Sequence, residues 1–339
     1  MEFSWPGEKL LIKLCDTIAG KGVGLLLKPW QMRREGAAAA EIKRLNSLTL
    51  AQTKIEVADI QSGKKVLLPG GKLENVGVIA IDDEVSPTTR LAIIEELEEI
   101  VKANVLKEEF RKEVSVTKAV LYAEQELEQD TQEATDVPVS DDWLLRWRDS
   151  ASAVSSDELQ ALWGKVLAGE VKSPGTFSLR TLAFLRNISR EDAVLIEKLA
   201  PYVIKNFVVR PSENKEVIED LTFSSFLELQ ELGIVSGVEA IGMSTQMRSS
   251  VPESFVQGLT SHGRVLLVRH SDVNRTLELP IYIVTRLGQE VLNLGWKRAD
   301  EIYLLKVGEL IKQMGFEVEI GGYTIAGEDR ISCVDLKAI

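Results

Sequence analysis

The chain of 339 residues has two cysteines, Cys15 and Cys333, and two histidines, His262 and His270. Two distant cysteines exclude a disulfide framework and a cysteine-rich zinc site. Neither histidine has an acidic or cysteine neighbour at metal-ligand spacing, so both are expected on the surface or in turns. There is no Gly-x-Ser-x-Gly elbow and no nucleotide fingerprint. Gly20-Lys-Gly-Val-Gly and Gly70-Gly71-Lys72 lack the Gly-x4-Gly-Lys-Ser/Thr spacing of a phosphate loop. These absences make an enzyme the least supported class, and no cofactor or metal is expected. Positive charge is also short. Lys and Arg number 40 against 52 acidic residues, for a net charge of −12. That balance opposes general nucleic-acid binding, which needs cations to displace counterions.

Long uncharged apolar runs are missing too. The best early stretch, Leu10 to Leu27, carries Lys13, Asp16 and Lys21, and charges at those depths are costly in hydrocarbon. With no secretory signal, a cytoplasmic protein is expected. The apolar content of 45% is ordinary for a globular protein. The length suggests two domains with an extension.

Leu10, Leu11, Leu14, Cys15, Ile18, Leu25 and Leu26 recur at spacings of three and four, along one face of a helix. Residues 1–34 carry six basic side chains against three acidic ones. A lysine-bearing amphipathic helix flanked by tryptophans can lie in the lipid headgroup region. The contact set for an anionic membrane surface or a partner is then Trp5, Leu10, Leu14, Ile18, Lys21, Leu25, Lys28 and Trp30. Lipid contact would put the chain at the periphery of the inner membrane. Amphipathic helices mostly serve cores, so the same face reads first as one that packs on the protein's own core or on a second subunit. Residues 31–61 read as a further helical arm with a narrow apolar stripe, which makes self-association an expectation.

Residues 66–85 read as a Gly-rich linker, and 86–205 as a central helical bundle. Its first helix follows Ser86-Pro87 and runs to about Gln129. Ser140-Asp141-Asp142 caps a helix with Trp143 and Trp147. Ser155 and Glu158 have capping-box spacing before a helix carrying Trp163. Thr176 to Asn187 reads as the next helix, and Ser189-Arg-Glu-Asp caps a fourth.

The run Asp157-Glu-Leu-Gln-Ala-Leu-Trp-Gly-Lys-Val-Leu-Ala-Gly-Glu170, then Pro174-Gly-Thr-Phe-Ser-Leu-Arg-Thr-Leu182, resembles the signature of a bacterial family known as domain of unknown function 2806. Asp142-Trp143 and Ser189-Arg-Glu-Asp-Ala are similar to the rest of that pattern. The resemblance covers roughly residues 100–320. It implies a helical bacterial protein without an assigned activity, with phage defence as a context. Within the motif, Trp163, Glu170 and Arg180 have two readings. One is structural, with Trp163 as a core anchor. The other is a recognition groove in which Arg180 takes a carboxylate or phosphate.

Residues 206–339 shift to mixed helix and strand. Val265 to Val268 and Leu277 to Val284 read as a hairpin, Thr285 to Leu292 as a helix, and Gly321-Gly322 as a turn after a short strand. This order looks like a winged helix. The region has 19 acidic against 13 basic residues, which opposes DNA contact, although Arg264, Arg269, Arg275 and Arg286 could form a local basic face.

The expected fold is therefore mainly α, with N-terminal amphipathic and long helices (1–65), the bundle, and a winged-helix-like α+β domain. The expected function is a non-enzymatic interaction protein docking on a membrane surface or a protein partner. The alternative is a winged-helix DNA-binding regulator.

Overall fold

A computed structural model describes residues 7–19, 65–67, 73–75, 87–128, 130, 134–210, 218, 221–239, 243–295, 298–327 and 330–339. The expected helical arm at 31–61 lies outside them. Contacts divide the chain into two compact units, Met1–Pro174 and Gly175–Ile339. The division falls inside the segment read from sequence as one bundle, 86–205. The fold is mixed, mainly α in the first unit and α+β in the second.

In the first unit, α1 (Glu8–Ala19), α2 (Pro87–Glu128), α3 (Asp141–Ser152) and α4 (Asp157–Lys172) pack together. Two short strands at the start of the expected linker, β1 (Lys65–Leu67) and β2 (Leu73–Asn75), pair antiparallel. The core follows the helical periodicity. Leu10, Leu14 and Ile18 of α1 meet a face of α2 that buries Val116, Ala119, Ala123 and Leu127. Each large aliphatic side chain buried this way contributes about 1.5–3 kcal/mol. The indole N–H of Trp147 on α3 donates to the Trp163 carbonyl at 2.9 Å, so two buried tryptophans tie α3 to α4. Gly164 allows α4 to approach α2. A Cβ there would sit 2.5 Å from Tyr122 Cβ and 2.8 Å from the Ala119 carbonyl oxygen.

Some local expectations shift. Ser156, not Ser155, is the N-cap of α4, accepting from Leu159 N–H at 3.3 Å. The capping box with Glu158 is therefore not formed, because the helix enters one residue later. Ser140 occupies the N-cap position of α3, with no side-chain cap bond.

The second unit begins with α5 (Leu179–Asn187), α6 (Arg190–Leu199) and a 3-10 turn (Ala200–Tyr202). Helix α5 starts three residues after the expected Thr176, because the Ser178 hydroxyl caps Thr181 N–H. Ser189 and Asp192 form a reciprocal capping box on α6. One sheet has the order β3-β8-β4, from β3 (Phe207–Val209), β4 (Val235–Ser236) and β8 (Leu277–Val284), with β5 (Ser244–Met247) also on β8. The other has the order β10-β9-β7-β6, from β6 (Phe255–Ser261), β7 (Arg264–His270), β9 (Glu317–Gly327) and β10 (Arg330–Ala338). Both are antiparallel. Three more helices complete the unit, α7 (Phe223–Glu231), α8 (Arg286–Leu292) and α9 (Glu301–Gln313).

The expected hairpin of β7 with β8 does not form, since the two strands belong to different sheets. Val265, Leu266, Leu267 and Val268 are all buried. Such a run marks a central strand and carries no information about its neighbours. The hairpin partner of β7 is β6, through His262-Gly263, both at positive φ (42° and 82°), as a two-residue turn requires. The expected turn at Gly321-Gly322 is also corrected. β9 runs through both glycines, pairing Gly321 with Val265 and Gly322 with Arg264. A Cβ at Gly321 would lie 2.5 Å from the Val334 carbonyl oxygen, so these glycines permit close strand approach and not chain reversal.

Candidate functional site

Helix α2 spans 42 residues, against 12 in α3 and 16 in α4. At 1.5 Å per residue it is about 63 Å long. Its C-terminal part packs on the unit, whereas residues 101–110 are all exposed. Val101 and Val105 are 57% and 56% exposed, and Leu106 and Phe110 are 73% and 70% exposed. On a helical projection Val101 and Val105 continue the face of Val116, Ala119 and Ala123. Leu106, Phe110 and Val114 form a second stripe at four-residue spacing, on the opposite side. Exposed apolar residues thus lie on two faces of the helix over three turns. Sequence reading placed this helix from Pro87 to about Gln129 but did not mark residues 101–110 as exposed. The available signal was a helix outrunning its neighbours while its apolar pattern continued.

The residues expected to contact membrane or partner fall in two groups. Leu10, Leu14 and Ile18 are buried in the first unit's own core. Trp5, Lys21, Leu25, Lys28 and Trp30 lie outside the described residues. Of the expected recognition groove, Trp163 and Glu170 are buried on α4 in the first unit, and Arg180 is exposed on α5 in the second.

A cleft of about 570 Å³ runs between α1 and residues 134–139. Lys9, Ile12, Lys13 and Asp16 line one wall, and Thr135, Asp136, Val137 and Pro138 line the other. The Lys13 ammonium donates to the Thr135 hydroxyl at 2.9 Å. Burial lowers the Lys13 pKa, while Asp136 and Glu170 partly oppose that shift. With two cations and two carboxylates in its walls, the cleft has no dominant sign of charge.

In the second unit a buried carboxylate stands out. Glu290 on α8 accepts from Ser178 N–H at 2.6 Å, from the Thr181 hydroxyl at 2.5 Å and from Arg286 Nε at 2.7 Å. Burial opposes its ionisation. The bonds from Thr181, Ser178 and Arg286 outweigh that and hold its pKa below the ordinary value. The site is an anchor, one carboxylate closing the N-terminus of α5 from another helix. Sequence reading passed over Glu290 because a glutamate in a short helix carries no mark of burial.

The arginines expected to form a basic face are engaged. Arg264 pairs with Glu301 at 3.1 Å, Arg269 with Glu319 at 3.4 Å and Arg286 with Glu290. Arg275 donates to the Met314 carbonyl at 3.0 Å and stands over the Phe316 ring. His262 lies within 2.8 Å of the Ala200 carbonyl oxygen, and His270 accepts from Asp272 N–H at 3.0 Å. Among the described residues no group of three or more His, Cys, Asp or Glu is placed to hold a metal ion. No helix among them is long and apolar enough to cross a membrane.

A family model described as "Protein of unknown function (DUF2806)" matches residues 102–210. This is the family that the tryptophan and Pro-Gly motifs resemble. The match runs from the exposed arm of α2 through β3 and stops short of residue 320, where the resemblance was expected to end. No curated protein and no solved structure matches the chain.

Proposed function

We propose that the chain is a non-enzymatic interaction protein whose docking element is the N-terminal arm of α2. The observation that carries this is the exposure of Val101, Val105, Leu106 and Phe110 on a stretch where every residue from 101 to 110 faces solvent. Fully burying a Leu or Phe side chain contributes about 1.5–3 kcal/mol, so Leu106 and Phe110, which share one face, form an anchor for a partner. The buried polar groups of the second unit support the same reading, since Glu290 and Tyr303 serve packing and hydrogen bonding. A partner protein suits the arm better than lipid, because Lys102, Lys107, Arg111 and Lys112 stand among Glu108, Glu109 and Glu113, which leaves little net positive charge to attract an anionic surface. The DNA-binding alternative has less support, since the arginines that would contact phosphate are engaged with Glu301, Glu319, Glu290 and Met314.

The test is amide hydrogen exchange of residues 101–110, in clarified extract of the producing cells and again after purification. A docked arm is protected in at least one setting, and Phe110→Asp removes the protection. Unprotected exchange in both settings overturns the proposal.

A further inference from the structure

We infer that the cleft between α1 and residues 134–139 binds a short zwitterionic peptide in extended conformation. The inference is independent of the α2 arm. Lys9, Lys13, Asp16 and Asp136 all line this cleft, yet no salt bridge joins any two of them. Among the described residues the side chains of Lys9 and Asp16 make no ion pair and no hydrogen bond. The Lys13 ammonium donates at 2.9 Å to a neutral acceptor, the Thr135 hydroxyl. Burial already disfavours its charge, with Asp136 and Glu170 offsetting only part of that cost. An arriving carboxylate supplies the anionic partner that Lys13 lacks at hydrogen-bond distance. Two cations balanced by two carboxylates fit neither a lone anion nor a lone cation, and they match a ligand that carries both signs.

The rest of the lining fits a peptide. Ile12 and Val137 stand on the two walls with 55% and 58% of their surfaces exposed, an apolar pair for one side chain of the ligand. The chain at Asp136 and Val137 is in neither helix nor strand. Its main-chain groups make no hydrogen bond to another described residue, so they are open to an extended backbone laid alongside. Length agrees as well. Lys9 and Asp16 are seven residues apart on α1, about 10 Å at 1.5 Å per residue. Three residues of extended chain, at about 3.3 Å each, span the same distance. The peptide carboxylate then meets Lys9 and Lys13, and its ammonium meets Asp16. The cleft volume of about 570 Å³ is ample for a ligand of that size.

The test is an NMR titration of the full chain, labelled at methyl groups and lysine side chains, with the tripeptide Ala-Leu-Ala as probe. Saturable shifts of the Ile12 and Val137 methyls are expected, and the Lys13 titration midpoint should move upward as the carboxylate binds. N-acetylation or C-terminal amidation of the peptide should each weaken binding about 10-fold, as should Lys13→Met and Asp16→Asn in the protein. Circular dichroism controls for helix content, and Asp16→Asn, at an exposed position without a partner, keeps the test open if Lys13→Met perturbs the fold. No shift at about 10 mM peptide overturns the proposal. Shifts confined to methyls outside the cleft overturn the site. Undiminished binding of the blocked peptides, or by both variants, overturns recognition of the two charges. None of these outcomes bears on exchange at residues 101–110, so this site and the docking arm stand or fall separately.

Discussion

Replacing Glu290 by alanine removes the acceptor of three hydrogen bonds at once. The consequences differ by donor. The Arg286 side chain is 76% exposed, so its guanidinium returns to water at little cost. The Ser178 N–H loses its partner at the N-terminus of α5. The Thr181 hydroxyl is fully buried and keeps only the Ser178 hydroxyl, 3.0 Å away. Bonds to a charged acceptor contribute about 1.5–3 kcal/mol each, and a stranded buried donor costs about 1–3 kcal/mol. Discounting Arg286 and part of Thr181, Glu290→Ala should destabilise the second unit by about 2–4 kcal/mol, and Glu290→Gln by roughly half. The pH dependence has a fixed sign. The folded pKa of Glu290 lies below its unfolded value, so the stabilisation is complete above the unfolded pKa and is lost as pH falls through the folded one. The gap between wild type and Glu290→Gln should narrow in acid. Urea unfolding followed by far-UV circular dichroism measures it. A Glu290→Ala midpoint equal to wild type at neutral pH would refute the anchoring role.

Other substitutions probe the remaining packing. Gly164→Ala gains about 1 kcal/mol in helix propensity. Its Cβ meets Tyr122 and the Ala119 carbonyl, and overpacking of about 1–3 kcal/mol or more should make the variant less stable in urea; a more stable variant would contradict the close approach of α2 and α4. Tyr303→Phe strands the buried Val209 N–H, which donates to the Tyr303 hydroxyl at 2.9 Å, so a loss of about 1–3 kcal/mol is expected on unfolding. Burial of Lys13 should make it deprotonate below the ordinary lysine range in an NMR titration of labelled side chains. Because its folded pKa is the lower one, stability should rise with pH through that window, and a midpoint at or above the ordinary value would contradict its burial.

Periodicity made much of the first unit legible. Leu10, Leu14 and Ile18 mark a buried face, and Trp143, Trp147 and Trp163 mark the core beside it. What that face packs against was not legible, since an amphipathic stripe looks alike whether it meets lipid, a subunit or the chain's own helices. The motif residues were recognisable as a family signature, yet Trp163 and Glu170 stand on one unit and Arg180 on the other. Strand partners in the second unit depend on long-range pairing, which is why β7 and β8 read as a hairpin and separate into two sheets. Gly321 and Gly322 misled for a related reason. Glycine marks both turns and close strand approach, and only Val334 across the sheet distinguishes them. The exposure of the α2 arm escaped attention because periodicity marks a helix without showing where its neighbours α3 and α4 end.

The most direct test of the docking arm is amide hydrogen exchange of residues 101–110 in the full chain beside its Leu106→Asp/Phe110→Asp variant, in cell extract and after purification, with matched circular dichroism. The account predicts slower exchange in the wild type than in the variant in at least one setting. Equal, unprotected exchange of the two in both settings would contradict it.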